Sequence, residues 1–499
     1  MSQISKNLGV LGGVSVGAVA LGLYAYFGVM KGDEKEAKAK EVSAQVFAAA
    51  TAEGPSAPSA FKKLTVTASG QTTVLVHDAK GWSLTSPVEA PADADAVEGI
   101  VSSLTHDTFK QTVEEHPTQA DLKKYGLDTP RFQLTAVFQK AKGAPQTFTL
   151  KGGIENPFDG SVYVQRDGEE TVHAINGAFK AALERSTFQL RDKRLVTFEE
   201  SALKGISLTG KDQAVTLALD DAQHWRLTRP LQDLADDTAV KALWTAIQTQ
   251  RATAFPADTP QARVDFGLTA PTVTATFTPK DGVPVQLALA EKGTGAERHA
   301  FAQVTQGKRV TLAQIPPALL DALLPKPDAL RDHTVLSFEE KKVVRVSYQA
   351  KAGEPAIELA REKTQGSALS DWKVVGPKET AAKTPAAKGW KVSSLLWTLH
   401  SLQSVGFGSA HPSDPVWRDH GLDAKARTIS LFGDSDQVLA TLVIGSPVKD
   451  HPDRRWVHGS KDQLLELDQA ALAKLPSSIA ELTDAPSAST ASAAPAAAH

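Results

Sequence analysis

At 499 residues the chain has the length of about three ordinary domains, and a 41% hydrophobic content lets each of them bury a core. A formal net charge of -3 argues against nucleic acid, which demands a basic face. The lack of cysteine excludes disulfides, thiolate catalysis, Cys-ligated zinc and a lipid-modified N-terminal Cys, but it leaves an extracytoplasmic address open, because a domain with an adequate core needs no disulfide.

The chain opens with Leu8–Met30, 23 residues without a charge. As a helix this run spans about 34 Å, enough for the hydrocarbon layer. It is too long for a signal-peptide core, and no A-x-A site follows it directly, so residues 1–30 are expected to be an uncleaved anchor. Gly9, Gly13 and Gly17 fall on one face of that helix, where small residues let two helices approach closely and two copies associate; glycine is also simply common in membrane helices. Orientation is in conflict. Lys31, Lys35, Lys38 and Lys40 follow the span and only Lys6 precedes it, which would keep the large C-terminal part in the cytoplasm, although long domains translocate regardless of nearby charge. Residues 31–60 are charged, then rich in Ala, Ser and Pro, and read as a tether.

Beyond the tether the chain repeats itself. Trp82-Ser83-Leu84-Thr85-Ser86-Pro87, Trp225-Arg226-Leu227-Thr228-Arg229-Pro230 and Trp372-Lys373-Val374-Val375-Gly376-Pro377 share W-x-[LV]-x-x-P. Each is followed by an aromatic-Gly-Leu signal: Tyr125-Gly126-Leu127, Phe266-Gly267-Leu268 and His420-Gly421-Leu422. Leu190-Arg191-Asp192 and Leu330-Arg331-Asp332 lie 140 residues apart, which is the length of a domain and not of a solenoid repeat. Three domains are therefore expected, at 61–200, 201–340 and 341–484, with a disordered Ala/Ser/Pro tail at 485–499.

Within the first domain, alternating Leu64 to Thr67, Val74 to Val76 and Trp82 to Leu84 predict strands. Asp93 and Asp95 open a helix with Val97, Ile100, Val101 and Leu104 on one face. A short helix over Ala120 to Lys124 is closed by Gly126 at positive φ. Strands are expected at 133–138, 147–150, 161–164 and 171–174, and a helix opens near Asn176. The second domain repeats this order with Val240, Leu243, Trp244 and Ile247 on its helix, and the third with Leu395, Leu396 and Leu399. The fold class is α+β, a largely antiparallel sheet with packed helices, used three times behind one transmembrane helix. The third domain differs by a Lys/Ala/Pro insertion over Lys378–Lys388 and by Leu482-Thr483-Asp484 where the others carry Leu-Arg-Asp.

Motifs of known chemistry are few. Gly293-Thr294-Gly295 lacks the third glycine of a dinucleotide loop, and neither a P-loop nor a G-x-S-x-G elbow is present. His451, Asp453 and His458 fit no zinc spacing and read as a surface loop, and Glu114-Glu115-His116 has no counterpart in the other domains. No catalytic, metal or cofactor residues are assigned. The recurring Trp82, Trp225 and Trp372, and Trp456 with its counterparts Tyr163 and Phe301, are expected to be structural, since a large aromatic at one recurring position is usually core. Trp390 and Trp417 lack counterparts and are the candidates for a partner surface. Arg191, Asp192, Arg331 and Asp332 are candidates for an inter-domain junction, an Arg fork being suited to bridging carboxylates or helix-end carbonyls; the alternative is a solvated turn.

The W-x-[LV]-x-x-P strands, the aromatic-Gly-Leu turns and the Leu-Arg-Asp closes resemble a bacterial membrane-anchored family, domain of unknown function 4340. The resemblance implies a periplasmic ectodomain on the inner membrane. It also implies a place beside ABC-transporter components of the gliding-motility auxiliary kind, and it brings no catalytic residues. The expectation is a non-enzymatic single-pass accessory or scaffold protein whose repeats form an arm for membrane-protein partners. Two alternatives stand. One is a cell-wall or surface polysaccharide binder using Trp390, Trp417 and Trp456; the other is an enzyme in the third domain drawing on His411, Asp414, His420, His451 and His458.

Overall fold

The computed structural model describes residues 44–47, 60–139, 144–257, 259–362, 371–377 and 386–483. The expected span with Gly9, Gly13 and Gly17, most of the Lys378–Lys388 insertion and the 485–499 tail lie outside them. Among the described residues no helix is long and apolar enough to cross a membrane.

Three antiparallel sheets carry the fold. The first comprises β1 (Phe61–Ala68), β2 (Gln71–Asp78), β3 (Gly81–Ser86), β4 (Ala90–Pro91), β5 (Gln111–Glu114), β6 (Phe132–Phe138), β7 (Gln146–Glu155), β8 (Val162–Arg166) and β9 (Val172–Ile175), in the order β4-β3-β2-β1-β6-β7-β8-β9-β5. The second comprises β10 (Leu203–Thr209), β11 (Ala214–Leu219), β12 (Trp225–Arg229), β13 (Asp233–Leu234), β14 (Val273–Pro279), β15 (Val285–Lys292), β16 (His299–Gln306) and β17 (Arg309–Ile315), in the order β13-β12-β11-β10-β14-β15-β16-β17. The third comprises β18 (Arg345–Tyr348), β19 (Ile357–Ala360), β20 (Lys373–Gly376), β21 (Gly406–Ala410), β22 (Arg427–Phe432), β23 (Val438–Val448), β24 (His451–His458) and β25 (Gln463–Asp468), in the order β20-β19-β18-β22-β23-β24-β25-β21. One meander has been used three times. The prolines of W-x-[LV]-x-x-P each follow a cis peptide bond. By contact the chain forms two compact bodies. One holds the described residues up to 197 with 248–257, 259–263 and 311–316, and the other holds 198–247, 264–310, 317–362, 371–377 and 386–483.

Each sheet is covered by one main helix. In the first domain Ala94–His106 buries Val97, Ile100, Val101 and Leu104 against Leu64, Val66, Leu75 and Leu84. Full burial of such a side chain contributes about 1.5–3 kcal/mol, so these four residues anchor the layer. Asp93 caps the helix by accepting from the Ala96 amide. Asp237–Gln248 does the same with Val240, Leu243, Trp244 and Ile247, capped by Asp236. Gly389–His400 buries Val392, Leu395, Leu396 and Leu399 and receives no side-chain cap from Lys388.

The aromatic-Gly-Leu turns share one construction. Gly126, Gly267 and Gly421 all take φ near +70° (68, 73 and 72°), the left-handed region where a side chain is disfavoured. The aromatic before each glycine meets an aromatic on the neighbouring strand: Tyr125 with Tyr163, Phe266 with Phe301 and His420 with Trp456, at 4.7, 4.1 and 4.9 Å between ring centroids. The turns therefore serve packing, as expected for Trp456. Trp82 and Trp225 are half-buried and Trp372 is buried.

Two expectations change. Ala44–Phe47, read as tether, belongs to the first domain: Gln45 bridges Thr108, and Val46 and Phe47 are buried. Arg194 to Val196 and Thr334 to Leu336 make the same pairing, with Arg251 and Gln403. Each domain thus begins at this leading segment, ahead of the boundaries at 61, 201 and 341. Two apolar residues in an Ala/Ser-rich stretch give no periodicity, so the sequence does not distinguish this segment from a tether. The His451–His458 segment, expected as a loop, is β24. Its polar Pro-Asp-Arg-Arg run hides the alternation on which strand reading depends.

Candidate functional site

The closing Leu-Arg-Asp segments occupy one place in the fold. Arg191 bridges Ala92, Arg331 bridges Ala235 and Thr483 bridges Ala387, each beside the start of the main helix. The arginines then reach the following repeat. The Arg191 guanidinium lies 3.6 Å from the centre of the Phe255 ring, and the Arg331 guanidinium lies 3.6 Å from that of Phe407. Each phenylalanine sits seven residues past the end of its main helix (Gln248, His400).

Arg331 is 4% exposed. It donates Nε to Asp233 at 2.7 Å and Nη1 to Asp328 at 3.2 Å, so the charge that faces Phe407 is neutralised within its own domain. Asp332 pairs with Lys461 of the third domain at 2.9 Å and accepts from the Thr334 amide. Burial pushes its carboxyl up, but the hydrogen bonds from Thr334 and Lys461 outweigh this and hold it below the usual carboxylate range. Asp192 turns instead to Arg194, bonded by both carboxylate oxygens. Of the four candidate junction residues, Arg191, Arg331 and Asp332 cross to the next repeat by these contacts, and Asp192 shapes the turn. Phe255 and Phe407 were not anticipated; their equal offset from the helix ends was the available signal.

In the first domain the position equivalent to Phe255 and Phe407, counted from the helix caps, is Thr112, and the nearby aromatic is Phe109. Phe109 stacks on His173 at 4.0 Å with the rings 2° from parallel, and Arg166 approaches to 4.9 Å while donating to the Gln45 carbonyl. Burial lowers the His173 pKa.

The partner-surface candidates separate. Trp390 is 67% exposed on Gly389–His400, with Lys391 beside its ring. Trp417 is half-buried on Asp414–Asp419 and packs against His458 at 4.5 Å, so it supports its own domain. The exposed companion of Trp390 is Trp397, also 67% exposed. Seven residues on, it lies about 10.5 Å further along the same helix face. Ser393 and Ser394 are exposed between them. Counted from the helix cap, Trp390 replaces Asp95 and Thr238, and Trp397 replaces Ser102 and Thr245, all exposed polar residues. The fold itself therefore does not require an aromatic at either position. Aligning the three helices by their caps would have exposed Trp397 in the sequence.

The histidines proposed for an enzyme serve other partners. His411 pairs with Asp462 at 2.8 Å on the surface. His420 bonds the Val416 carbonyl and packs on Trp456, and His458 lies under Trp417 with its pKa lowered by burial. His451 is exposed at the start of β24, and Asp414 is exposed at the start of its helix. His116 is exposed and pairs with Glu170. Among the described residues no group of three or more His, Cys, Asp or Glu could hold a metal ion.

No curated protein matches the chain. A family model described as "Domain of unknown function (DUF4340)" matches twice, over residues 82–262 and 225–425. The matches begin on Trp82 and Trp225, and each runs into the following repeat, so each includes one of the arginine junctions. The chain belongs to the DUF4340 family.

Proposed function

We propose that this protein is a non-enzymatic, single-pass protein of the bacterial inner membrane, anchored by Leu8–Met30 with its repeats in the periplasm. In this reading it is an accessory or scaffold subunit of an ABC-transporter-like membrane system of the gliding type. The observation that carries the reading is the Trp390–Trp397 face, exposed on one domain while its sister helices are polar there. Exposed tryptophans are favoured anchors of protein interfaces, because each buries a large rigid area at little entropic cost. The arginine junctions add to it, since a scaffold needs its domains held in register. Gly9, Gly13 and Gly17 would provide a helix-packing face within the membrane.

A mild-detergent pull-down of the tagged protein from native membranes, read by mass spectrometry, tests this. Recovery of ABC-type permease or gliding-type auxiliary subunits, lost with Trp390→Ala and Trp397→Ala together, is expected. Recovery of the protein alone, even after crosslinking, would sink the reading. Weight would then pass to a surface polysaccharide binder, which the two aromatic platforms with serines between them also suit.

A further inference from the structure

The third domain replaces two core residues of its sisters with arginine. Arg427 pairs with Ile444 as Phe132 pairs with Gly152 and Val273 with Leu289. Arg455 stands two residues before Val457, the partner of Ile444; Val162 and Ala300 stand two before Val164 and Ala302, the partners of Gly152 and Leu289. Phe132, Val162, Val273 and Ala300 are all buried, at 1% exposure or less. In the first domain Gly152 leaves room for the Phe132 ring, which a Cβ there would meet at 2.0 Å. In the third domain Ile444 stands at the place of Gly152, and Arg427 stands at the place of Phe132.

Arg427, Ile444 and Arg455 line a cleft of about 480 Å³, within the size range of small-molecule sites. Its walls include Ala350, Ala426, Ile444 and Leu472, and its cations are Lys351, Lys425, Arg427 and Arg455. Asp423 is the acid among the lining residues, and one of its oxygens is spent on the Lys425 amide. Both arginines are half-buried. Arg427 donates Nε to the Gln349 carbonyl and Nη2 to the Tyr348 hydroxyl; Arg455 donates Nη1 to the Gly445 carbonyl. These bonds fix the two guanidinium planes and leave Nη1 of Arg427 and Nε and Nη2 of Arg455 without a protein acceptor among the described residues. Neither guanidinium has a carboxylate within ion-pair distance among those residues.

Partly desolvated charge without a counterion opposes folding, and the sister domains show that apolar residues satisfy the fold at both positions. We propose that this cleft binds a phosphate-bearing small molecule with an apolar body. Lys351 is already paired with Glu354 at 3.9 Å, and the remaining Lys425, Arg427 and Arg455 against one acid match a dianion better than a single carboxylate. The fixed guanidinium forks suit paired oxygens, and the apolar wall receives the remainder of the ligand. The phosphate is that of a soluble ester or of a phospholipid headgroup.

The test uses the full-length chain in detergent and phosphate-free buffer, titrated calorimetrically with phenyl phosphate and with benzoate. A second arm measures binding to phosphatidylcholine vesicles with and without phosphatidic acid. The comparison protein carries Arg427→Val and Arg455→Val, the residues of the second and first domains, so that it folds as its sisters do and melts no lower than the parent. Saturable binding of phenyl phosphate over benzoate is expected, weakened about a hundredfold or more in the double variant. Phosphatidic-acid binding lost with the same pair would assign the site to a lipid headgroup and would equally support it. Equal affinity for benzoate, unchanged affinity in the double variant, or binding of neither phenyl phosphate nor phosphatidic acid would overturn the proposal.

Discussion

The first two domains and the third share a meander, a main helix over the sheet and an aromatic-Gly-Leu turn, yet they differ in what they expose. Where the first two place Asp95, Ser102, Thr238 and Thr245 on the outer helix face, the third places Trp390 and Trp397. Where they close on Leu-Arg-Asp, it closes on Leu482-Thr483. Packing constrains the shared features. The departures lie outside that constraint, so the sister domains act as an internal control for which residues exist for something other than folding.

The largest effect is expected at the junctions. Arg331→Ala leaves Asp233, 13% exposed at its side chain, without its guanidinium, and should cost about 3–5 kcal/mol in urea unfolding. Arg191→Ala, at a half-buried site facing Phe255, should cost about 1–2 kcal/mol. Equal losses would erase the distinction between the two junctions. Next comes the strand beside the turn. A Cβ on Gly445 would lie 2.3 Å from the His420 carbonyl oxygen, and one on Gly153 would lie 2.0 Å from that of Tyr125. Gly445→Ala and Gly153→Ala should each cost about 1–3 kcal/mol, although the second domain carries Ala290 at the same place. Thermal melts unchanged by either substitution would show that the first and third turns yield to a Cβ as the second does to Ala290.

Acid should act on the junction between the second and third domains. The folded pKa of Asp332 is depressed, so its contribution is present above the unfolded value of about 4 and is lost as pH falls through the folded pKa. Urea midpoints measured below about pH 4 should fall less steeply in Asp332→Asn than in the parent. An identical slope would remove Asp332 from the junction. Asp236→Ala, which frees the Thr238 and Ala239 amides, should cost about 1 kcal/mol. Smallest of all, Trp390→Ala and Trp397→Ala should each move stability by no more than about 0.5 kcal/mol, as exposed positions do. A larger loss would make the aromatic face structural after all.

Much of the fold was legible because its signals are local. The helix faces at Val97, Ile100, Val101 and Leu104 and at Val240, Leu243, Trp244 and Ile247, the cap at Asn176, and the positive φ of Gly126 follow from period and turn chemistry. The repeats supplied the remainder, including the match of Trp456 to Tyr163 and Phe301. What failed depended on distant partners. Val46 and Phe47 are core only because Thr108 and the aromatics of the first sheet receive them. Trp417 reads as surface in the sequence because nothing local shows His458 beneath it. Phe255 and Phe407 became junction residues only when the preceding arginine was placed over them. Arg427 and Arg455 look like ordinary strand arginines until strand register sets them against Phe132 and Val162.

The central claim is that the third domain's aromatic face meets a membrane partner. A photo-crosslinking residue placed at position 397, and in a control at the exposed second-domain position 245, tests it directly in cells. The account predicts a discrete adduct with an ABC-type or auxiliary membrane subunit from position 397 and none from position 245. The same pattern from both positions, or no protein adduct from 397 at any dose of light, would contradict it.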